Sequence, residues 1–398
     1  MNTGLVKHIK DIGKKIGLDV IVNMVQKKAP IWFFYTKNLF QSSYGDRREI
    51  RLNGRPAIYD IFSCRDNQYI GIVGRYDSVS DPALLRCIFP SGQVSSGILI
   101  DDEAHEIEGQ QVLLLLFPVP EEEKNKAQTS INLKIESLTL VSDFRVFLGQ
   151  PGRKELLSVS TLMKDEDRFL PEWIAYYKLL GATHFYIYDN RSIKRGKIRR
   201  LLRPFIEEGS VTLIDWDYPY ESGAIDNSWR FCQRGQMHHC LYKYGDRTNW
   251  MLFIDVDEFI FPVAGGESLK PILDQYGDDP SVAGLQFKMI WFGNSGFQTV
   301  PAGLVIENYT RRAPRVLEAG REKCAVKPGL TELLFIHDVK SSLPGTRVVS
   351  VSPEEYRINH YFATSSKRQR RGNTDHNEVA DLGMERFCRP IKKSLALE

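Results

Sequence analysis

Two aspartates separated by one valine, Asp255 and Asp257, with Glu258 directly behind them, interrupt the apolar run WMLFIDVDEFIFP at residues 250–262. On one extended strand, alternation sends Asp255 and Asp257 to the same side and Val256 to the other. Two carboxylates on one face repel unless a cation neutralises them. Hard oxygen donors suit Mg²⁺ or Mn²⁺, which keep few protein ligands and fill the remaining positions with substrate phosphates and water. The pattern points to a divalent cation that meets a diphosphate. Glu258 falls on the opposite alternation and reads as a structural hydrogen-bonding residue.

Carboxylates delivered this way need a strand behind them and helices to cover it. From about residue 155 the pattern alternates strands with helices, the signature of parallel β-α-β units. ELLSVSTLM (155–163), HFYIYD (184–189), VTLID (211–215) and WMLFID (250–255) read as strands. Phe169, Leu170, Trp173, Ile174, Tyr177 and Leu180 recur at helical spacing up to Gly181; Ile198 to Ile206 predict a second helix stopped at Gly209, and a third spans about 229–244. AGLQFKMIWF and GLVIENYT read as further strands. In an open parallel sheet, ligands bind beyond the carboxyl ends of the strands. Those ends carry KDED (164–167), DNRS (189–192), DWD (215–217) and DVDE (255–258). A single Asp there is an ordinary turn or cap residue; acidic residues after all four strands point to a shared site.

Before residue 150 the runs AIYDIF, YIGIVGRY, LLRCIFP, SSGILI and QVLLLLFPVP are short and punctuated by Gly, Pro, Asn and Asp, so residues 1–150 read as a β-rich, sandwich-like domain and 151–398 as a separate α/β domain. A chain of 398 residues accommodates both, and 42% hydrophobic with 26% charged residues is the balance of a globular protein. A net charge of +3 gives no reason to expect a nucleic-acid partner. Six dispersed cysteines without metal-ligand spacing fit a reducing compartment, and the expected location is cytoplasmic. The N-terminal stretch to residue 28 alternates Lys with apolar residues without a continuous apolar core; it reads as a surface helix or a peripheral contact with an anionic membrane, and KRQRR (367–371) as a solvated tail or a contact with phosphate or an anionic membrane.

Several separated motifs in order, DEDRFLPEWIAYYKLLGATHFYIYDNRS, WMLFIDVDEFIFP, WFGNSG, the Lys323 to Gly329 segment, His337 and the closing NHY, resemble glycosyltransferase family 92 and related family-2-like transferases over about residues 155–372. The resemblance implies a GT-A fold, an inverting transfer, often of galactose from a UDP-linked donor to a glycan or polysaccharide, and Mn²⁺ (or Mg²⁺) at the D-x-D. Asp257 would then be the principal metal ligand, and Asp255 would contact ribose or the metal through water. His337, after the run LLFIH, is the first choice for a completing histidine ligand, with His360 of NHY its rival. Lys164, Asp165 and Glu166, then Asp189 and Asn190, would read the nucleoside, and Gln233 would face the same crevice. Many members of the family carry a membrane anchor; no segment of this sequence reads as one, so their Golgi location is not carried over.

Inversion needs a carboxylate opposite the leaving group to take the acceptor's proton. Glu318 and Glu307 follow the D-x-D at plausible distances, with Glu332 a third option. Lys323 or Lys327 would supplement the metal at the diphosphate, and Trp291 of WFGNSG offers a face for a sugar. A sugar-nucleotide nucleotidyltransferase is the main alternative, but it calls for a Gly-rich basic loop after the first strand where this chain has acidic KDEDRF. A non-catalytic carbohydrate-binding protein is the other; intact D-x-D and NHY argue against it.

Overall fold

The computed structural model describes residues 33–35, 49–52, 55–75, 84–100, 112–149, 154–218, 228–317, 320–364 and 376–397. The N-terminal part holds β1 (Phe33–Tyr35), β2 (Ile50–Leu52), β3 (Arg55–Cys64), β4 (Tyr69–Arg75), β5 (Leu85–Ile88), β6 (Val94–Ser96), β7 (Ile98–Leu99), β8 (Val112–Pro118), the short helix α1 (Glu121–Lys124), β9 (Gln128–Ile135) and β10 (Leu138–Phe147). They form a six-stranded sheet in the order β1-β2-β3-β4-β8-β7 and a four-stranded sheet in the order β10-β9-β5-β6. Alternate residues of both sheets, Ile58, Ile72 and Leu115 from one and Cys87, Leu133 and Val146 from the other, close on a shared core. That is the layout of a sandwich.

The second part opens with β11 (Glu155–Met163), α2 (Leu170–Leu179), β12 (His184–Asp189), α3 (Arg195–Glu207), β13 (Val211–Asp215), α4 (Ser228–Tyr244) and β14 (Thr248–Phe253), in the places where the apolar periodicity predicts them. Next come β15 (Glu258–Pro262), α5 (Lys270–Gly277), β16 (Val282–Phe287), β17 (Met289–Phe292), α6 (Val305–Asn308), β18 (Arg311–Arg312), β19 (Lys323–Val326), β20 (Thr331–Leu334), β21 (Val339–Ser342), β22 (Arg347–Ser350), β23 (Tyr356–Tyr361), β24 (Val379–Ala380) and α7 (Glu385–Ser394). The main sheet has the order β13-β12-β11-β14-β19-β16-β22; β13 to β14 run parallel, and β19 returns antiparallel to β14. A second sheet, β15-β23-β17-β18-β24, stands beyond the end of β14.

Both faces of the main sheet are buried, which is why its strands read as nearly continuous apolar runs. Leu157, Val159, Phe185, Ile187, Trp250 and Leu252 face α2, α3 and the second sheet. Their alternates Tyr186, Tyr188, Met251 and Phe253 face α4 and, behind it, Phe62, Cys64, Val73, Leu114 and Leu116 of the N-terminal sheet. The chain therefore changes from sandwich to α/β near residue 150 while its packing continues across that point.

Two strand expectations fail for local reasons. AGLQFKMIWF breaks at Lys288 into β16 and β17, which belong to different sheets. In GLVIENYT, residues 305–308 form the helical turn α6, because the buried Glu172 carboxylate accepts hydrogen bonds from the Val305 and Ile306 amides at 2.7 and 3.0 Å. A carboxylate meeting the unpaired amides of a helical turn favours the turn over an extended chain.

Candidate active site at the end of the central strand

The strand carrying the aspartates ends at Phe253. Residues 255–258 then form a turn closed by the Glu258 amide donating to the Asp255 carbonyl at 3.1 Å, and β15 continues in the second sheet. Asp255 and Asp257 therefore meet different partners instead of sharing a strand face. Asp255 Oδ2 accepts from Lys323 Nζ at 2.8 Å, whereas Asp257 Oδ2 lies 3.2 Å from His360 Nε2. Lys323 is buried, with Nζ also 3.6 Å from Glu258 Oε2. Glu258 accepts the Asp255 amide at 3.0 Å, the structural hydrogen bond expected of it.

Register explains the convergence. β15 pairs antiparallel with β23 so that Glu258 lies opposite His360, and β17 pairs with β23 so that Trp291 lies beside His360. The three side chains stand in a row across neighbouring strands. His360 Nδ1 is 3.7 Å from Glu258 Oε1 and 3.1 Å from Met289 Sδ. Burial pushes the His360 pKa down against the pull of Glu258 and Asp255, and burial with the Lys323 charge takes His337 down to about 4. Both imidazoles are thus neutral near pH 7, the form that ligates metals. Desolvation raises the Asp255 pKa, but the Lys323 ammonium outweighs it and holds the carboxyl below its usual range; burial raises Glu258.

Helix α2 clamps this turn from beneath. Trp173 Nε1 donates to the Asp255 carbonyl at 3.1 Å, and Tyr177 Oη donates to the Glu258 carbonyl and accepts from the Ile260 amide, both at 3.1 Å. Tyr176 Oη donates to the Ile260 carbonyl at 2.7 Å. Trp173 and Tyr177 read in the sequence only as the core face of a helix, a stripe that does not include Tyr176. The spacing of the three rings, three and four apart, was the signal that one helix face carries several buried polar tips needing partners.

The carboxylates after the other strands are engaged elsewhere, chiefly by α3. Arg195 lies 3.3 Å from Asp189 and pairs with Asp217, Lys197 pairs with Asp167 at 2.5 Å, and Arg199 with Asp215 at 2.7 Å. Asp189 also accepts the Ser192 amide at 3.0 Å. Asn190 donates to the carbonyls of Trp216 and Tyr218 at 2.8 and 2.6 Å, and Asp165 accepts the Ile193 amide at 2.6 Å. Asp165, Asp189 and Asn190, expected to read the nucleoside, thus make hydrogen bonds that secure the turns after their strands. Glu166 starts α2, its carbonyl accepting the Phe169 and Leu170 amides, while Lys164 is exposed. Gln233 is buried beside Cys232, whose carbonyl accepts Trp216 Nε1 at 2.8 Å.

Other expectations are also revised. Antiparallel pairing of β19 with β14 sets Val326 against Met251, so Lys323 reaches the Asp255 end and Lys327 the opposite edge, roughly 13 Å away along the strand. There Lys327 donates to the Asp279 carbonyl at 2.7 Å, which removes it from the site. Trp291 stacks between His360 (centroids 4.6 Å, 21°) and His376 (5.8 Å, 22°), so its faces are not open to a sugar. Gly293 admits the backbone of residues 376–377; a β-carbon there would stand 2.6 Å from the His376 carbonyl oxygen. Glu307 faces α7, paired with Lys392 at 2.5 Å, and Glu332 accepts from Ser341 at 2.8 Å. His337 places Nδ1 3.3 Å from the Glu322 carbonyl, within electrostatic reach of Asp255. Glu318, KRQRR and the N-terminal basic stretch lie outside the described residues.

Among the described residues no three His, Cys, Asp or Glu side chains converge as a ready-made metal cage. Two ligands at right angles and about 2.1 Å from one cation sit roughly 3 Å apart, which the Asp257–His360 separation of 3.2 Å fits. One carboxylate and one neutral imidazole suit a cation that takes its other ligands from phosphates and water. Among the described residues no helix is long and apolar enough to cross a membrane.

A parallel β13-β12-β11-β14 sheet continued by an antiparallel strand, with an acidic turn at the end of its central strand, defines a GT-A-type α/β fold preceded by a β-rich part. The profile of glycosyltransferase family 92 matches residues 154–395, and the chain belongs to that family. It is 26% identical over 313 residues to a glycosyltransferase family 92 protein of Ricinus communis, covering 71% of this chain and 50% of that one. Over 191 residues it is 26% identical to a beta-1,4-galactosyltransferase of Caenorhabditis elegans, covering 48% and 43% of the two chains. Over 204 residues it is 27% identical to a galactan beta-1,4-galactosyltransferase of Arabidopsis thaliana, covering 50% and 39%. The chain thus spans about half the length, or less, of these relatives. Residues 1–349 of TarS from S. aureus superpose with a TM-score of 0.33 at 13% identity, over 61% of this chain and 75% of that one.

Proposed function

We propose that the chain transfers a hexose, galactose in the first instance, from a UDP-linked donor to a glycan or polysaccharide acceptor, with inversion and with Mn²⁺ or Mg²⁺ at the turn after β14. The observation that carries this reading is the pairing of Asp257 with His360 beside the Asp255–Lys323 ion pair. Galactose and the glycan acceptor come from the names of the relatives.

In this reading Asp257 and His360 would hold the cation, and the chemistry it would supply there is Lewis-acid neutralisation of charge on a diphosphate. Lys323 fixes Asp255 so that its free oxygen faces the nucleoside, and its ammonium adds positive charge beside the leaving group. Trp291 backs His360, and Trp173 with Tyr177 keeps the turn from shifting. Glu318 is the proposed base, as one of the carboxylates after the D-x-D that the sequence offers for the role. Glu307 is set aside because it pairs with Lys392.

The test is release of nucleoside diphosphate from a panel of nucleotide sugars, with Mn²⁺ or with chelator. Metal-dependent release from at least one donor supports the reading, and folded protein that turns over none in either condition removes its basis.

A further inference from the structure

The N-terminal sandwich meets the α/β half through groups far apart in the chain. Asp60, in the middle of β3, is fully buried, and its Oδ2 accepts from His239 Nε2 at 2.9 Å and Lys243 Nζ at 2.6 Å, both on α4. His239 Nδ1 in turn lies 2.8 Å from Tyr188 Oη, on the strand that ends at Asp189. Next to Asp60, the Tyr59 ring stacks on Tyr218 (centroids 3.7 Å, 20°) and meets Trp216 edge-on at 5.4 Å. Trp216 and Tyr218 carry the two carbonyls that Asn190 holds. At the far end of the contact, the β3–β4 turn takes three successive left-handed residues, Arg65, Asp66 and Asn67. Arg65 there donates to the carbonyls of Pro328 and Thr331, each at 2.7 Å.

Of the residues so contacted, the segment leaving β13, on which Tyr59 packs, lies at the edge where the donor is proposed to bind, while His239 and Lys243 in the last two turns of α4 and the carbonyls held by Arg65 anchor the contact toward the edge where β14 begins. A buried carboxylate with two cationic or polar partners is costly to break from either side, so this contact holds one geometry instead of sliding. We infer that the N-terminal sandwich is a fixed wall of the donor crevice and not a separate carbohydrate-binding module, with Tyr59 and Asp60 as positioning residues for Trp216–Tyr218 and α4. The catalytic unit then exceeds the span 154–395 that the family profile matches.

Gly235 gives the inference a sharp handle. It faces Tyr59 from α4, and a β-carbon there would stand 2.9 Å from the Tyr59 ring. Gly to Ala inside a helix normally stabilises; here it must displace the ring.

The inference rests on the donor reading for its consequence but not for its geometry, so two measurements separate them. In the full chain, Tyr59→Leu and Gly235→Ala are compared with Ile131→Val, a change in the sandwich core away from the contact. Hydrogen–deuterium exchange of residues 216–218 and of α4 is expected to be about tenfold faster in the first two and unchanged in the third. Equal exchange in all three overturns the wall, whatever the activity. The KM for the donor is expected to rise about tenfold in Tyr59→Leu with kcat little changed, and to return toward wild type in Tyr59→Phe, which keeps the ring. Faster exchange with an unaltered donor KM overturns the positioning role. A wild type that turns over no donor removes the proposed function, and the exchange comparison still decides the wall.

Discussion

His360 Nε2 lies 3.2 Å from Asp257 Oδ2, although 103 residues separate them in the chain. The contact exists because Glu258 and His360 are register partners in the second sheet, which begins where the turn after β14 ends. If the pair holds a cation, neutralising either member removes a ligand. His360→Ala is expected to weaken Mn²⁺ binding by about 10- to 100-fold, measured by Mn²⁺ titration in the presence of UDP. Unchanged Mn²⁺ affinity would assign the histidine to packing alone.

Lys323 and Lys327 make a matched pair, one at each end of β19. Lys323→Met is expected to lower kcat by about 10²-fold, because Asp255 loses its only ammonium partner among the described residues and the leaving group a nearby cation. Lys327→Met should leave kcat within about threefold, since the Lys327 ammonium donates to the Asp279 carbonyl and lies over the face of Trp250, away from Asp255. Steady-state kinetics with a saturating donor decides; equal losses in both variants would contradict the register argument.

Tyr177→Phe removes one hydroxyl that serves two backbone groups, leaving the Glu258 carbonyl and the Ile260 amide without it in a buried place. A cost of about 1–3 kcal/mol is expected in urea unfolding. The half-saturating Mn²⁺ concentration should rise at the same time, because the clamped turn carries Asp257. A stability loss with no change in metal dependence would leave Tyr177 as packing only.

Glu172 has a pH signature. Burial raises its carboxyl to about 7 despite the amides of Val305 and Ile306 that favour the charge. A pKa raised above the unfolded value means that the folded state binds a proton the unfolded chain releases between about pH 4.5 and 7. The associated stability is full below about pH 4.5 and is lost as the pH rises through 7. Glu172→Gln cannot titrate, so the wild-type stability minus that of the variant should fall by about 3 kcal/mol across this window. Urea melts of both proteins at pH 5, 6, 7 and 8 measure it, and a constant difference would place the pKa in the ordinary range.

For the base, Glu318→Gln is expected to abolish sugar transfer while leaving UDP binding intact, and Glu307→Gln, whose parent pairs with Lys392, should change turnover by less than about threefold. Full transfer activity in Glu318→Gln would send the search to another carboxylate.

The α/β half was legible because both faces of its sheet are buried, so each strand announces itself as an apolar run and each helix as a 3.6-residue stripe. The position of DVDE beyond the central strand followed from that alone. The side-chain geometry of the turn did not: alternation presumes a continuous strand, and the chain turns at Asp255. The partners of the acidic residues after the other strands were not legible, because Arg195, Lys197 and Arg199 sit on a helix whose orientation the spacing does not reveal. GLVIENYT was misread because the carboxylate that shapes it stands 133 residues earlier. Lys323 and Lys327 could be told apart only by a strand register, and the partners of Asp60 in AIYDIF, His239 and Lys243, stand 179 and 183 residues further along the chain.

The most direct measurement is calorimetric titration of UDP into the wild type and into Asp257→Ala, each with Mn²⁺ and with chelator. The account predicts that UDP binds the wild type with Mn²⁺, that chelator weakens this binding at least about tenfold, and that Asp257→Ala with Mn²⁺ behaves as the chelated wild type. UDP affinity that is the same with Mn²⁺ and with chelator, or that survives Asp257→Ala intact, would contradict a metal–diphosphate site at the end of β14.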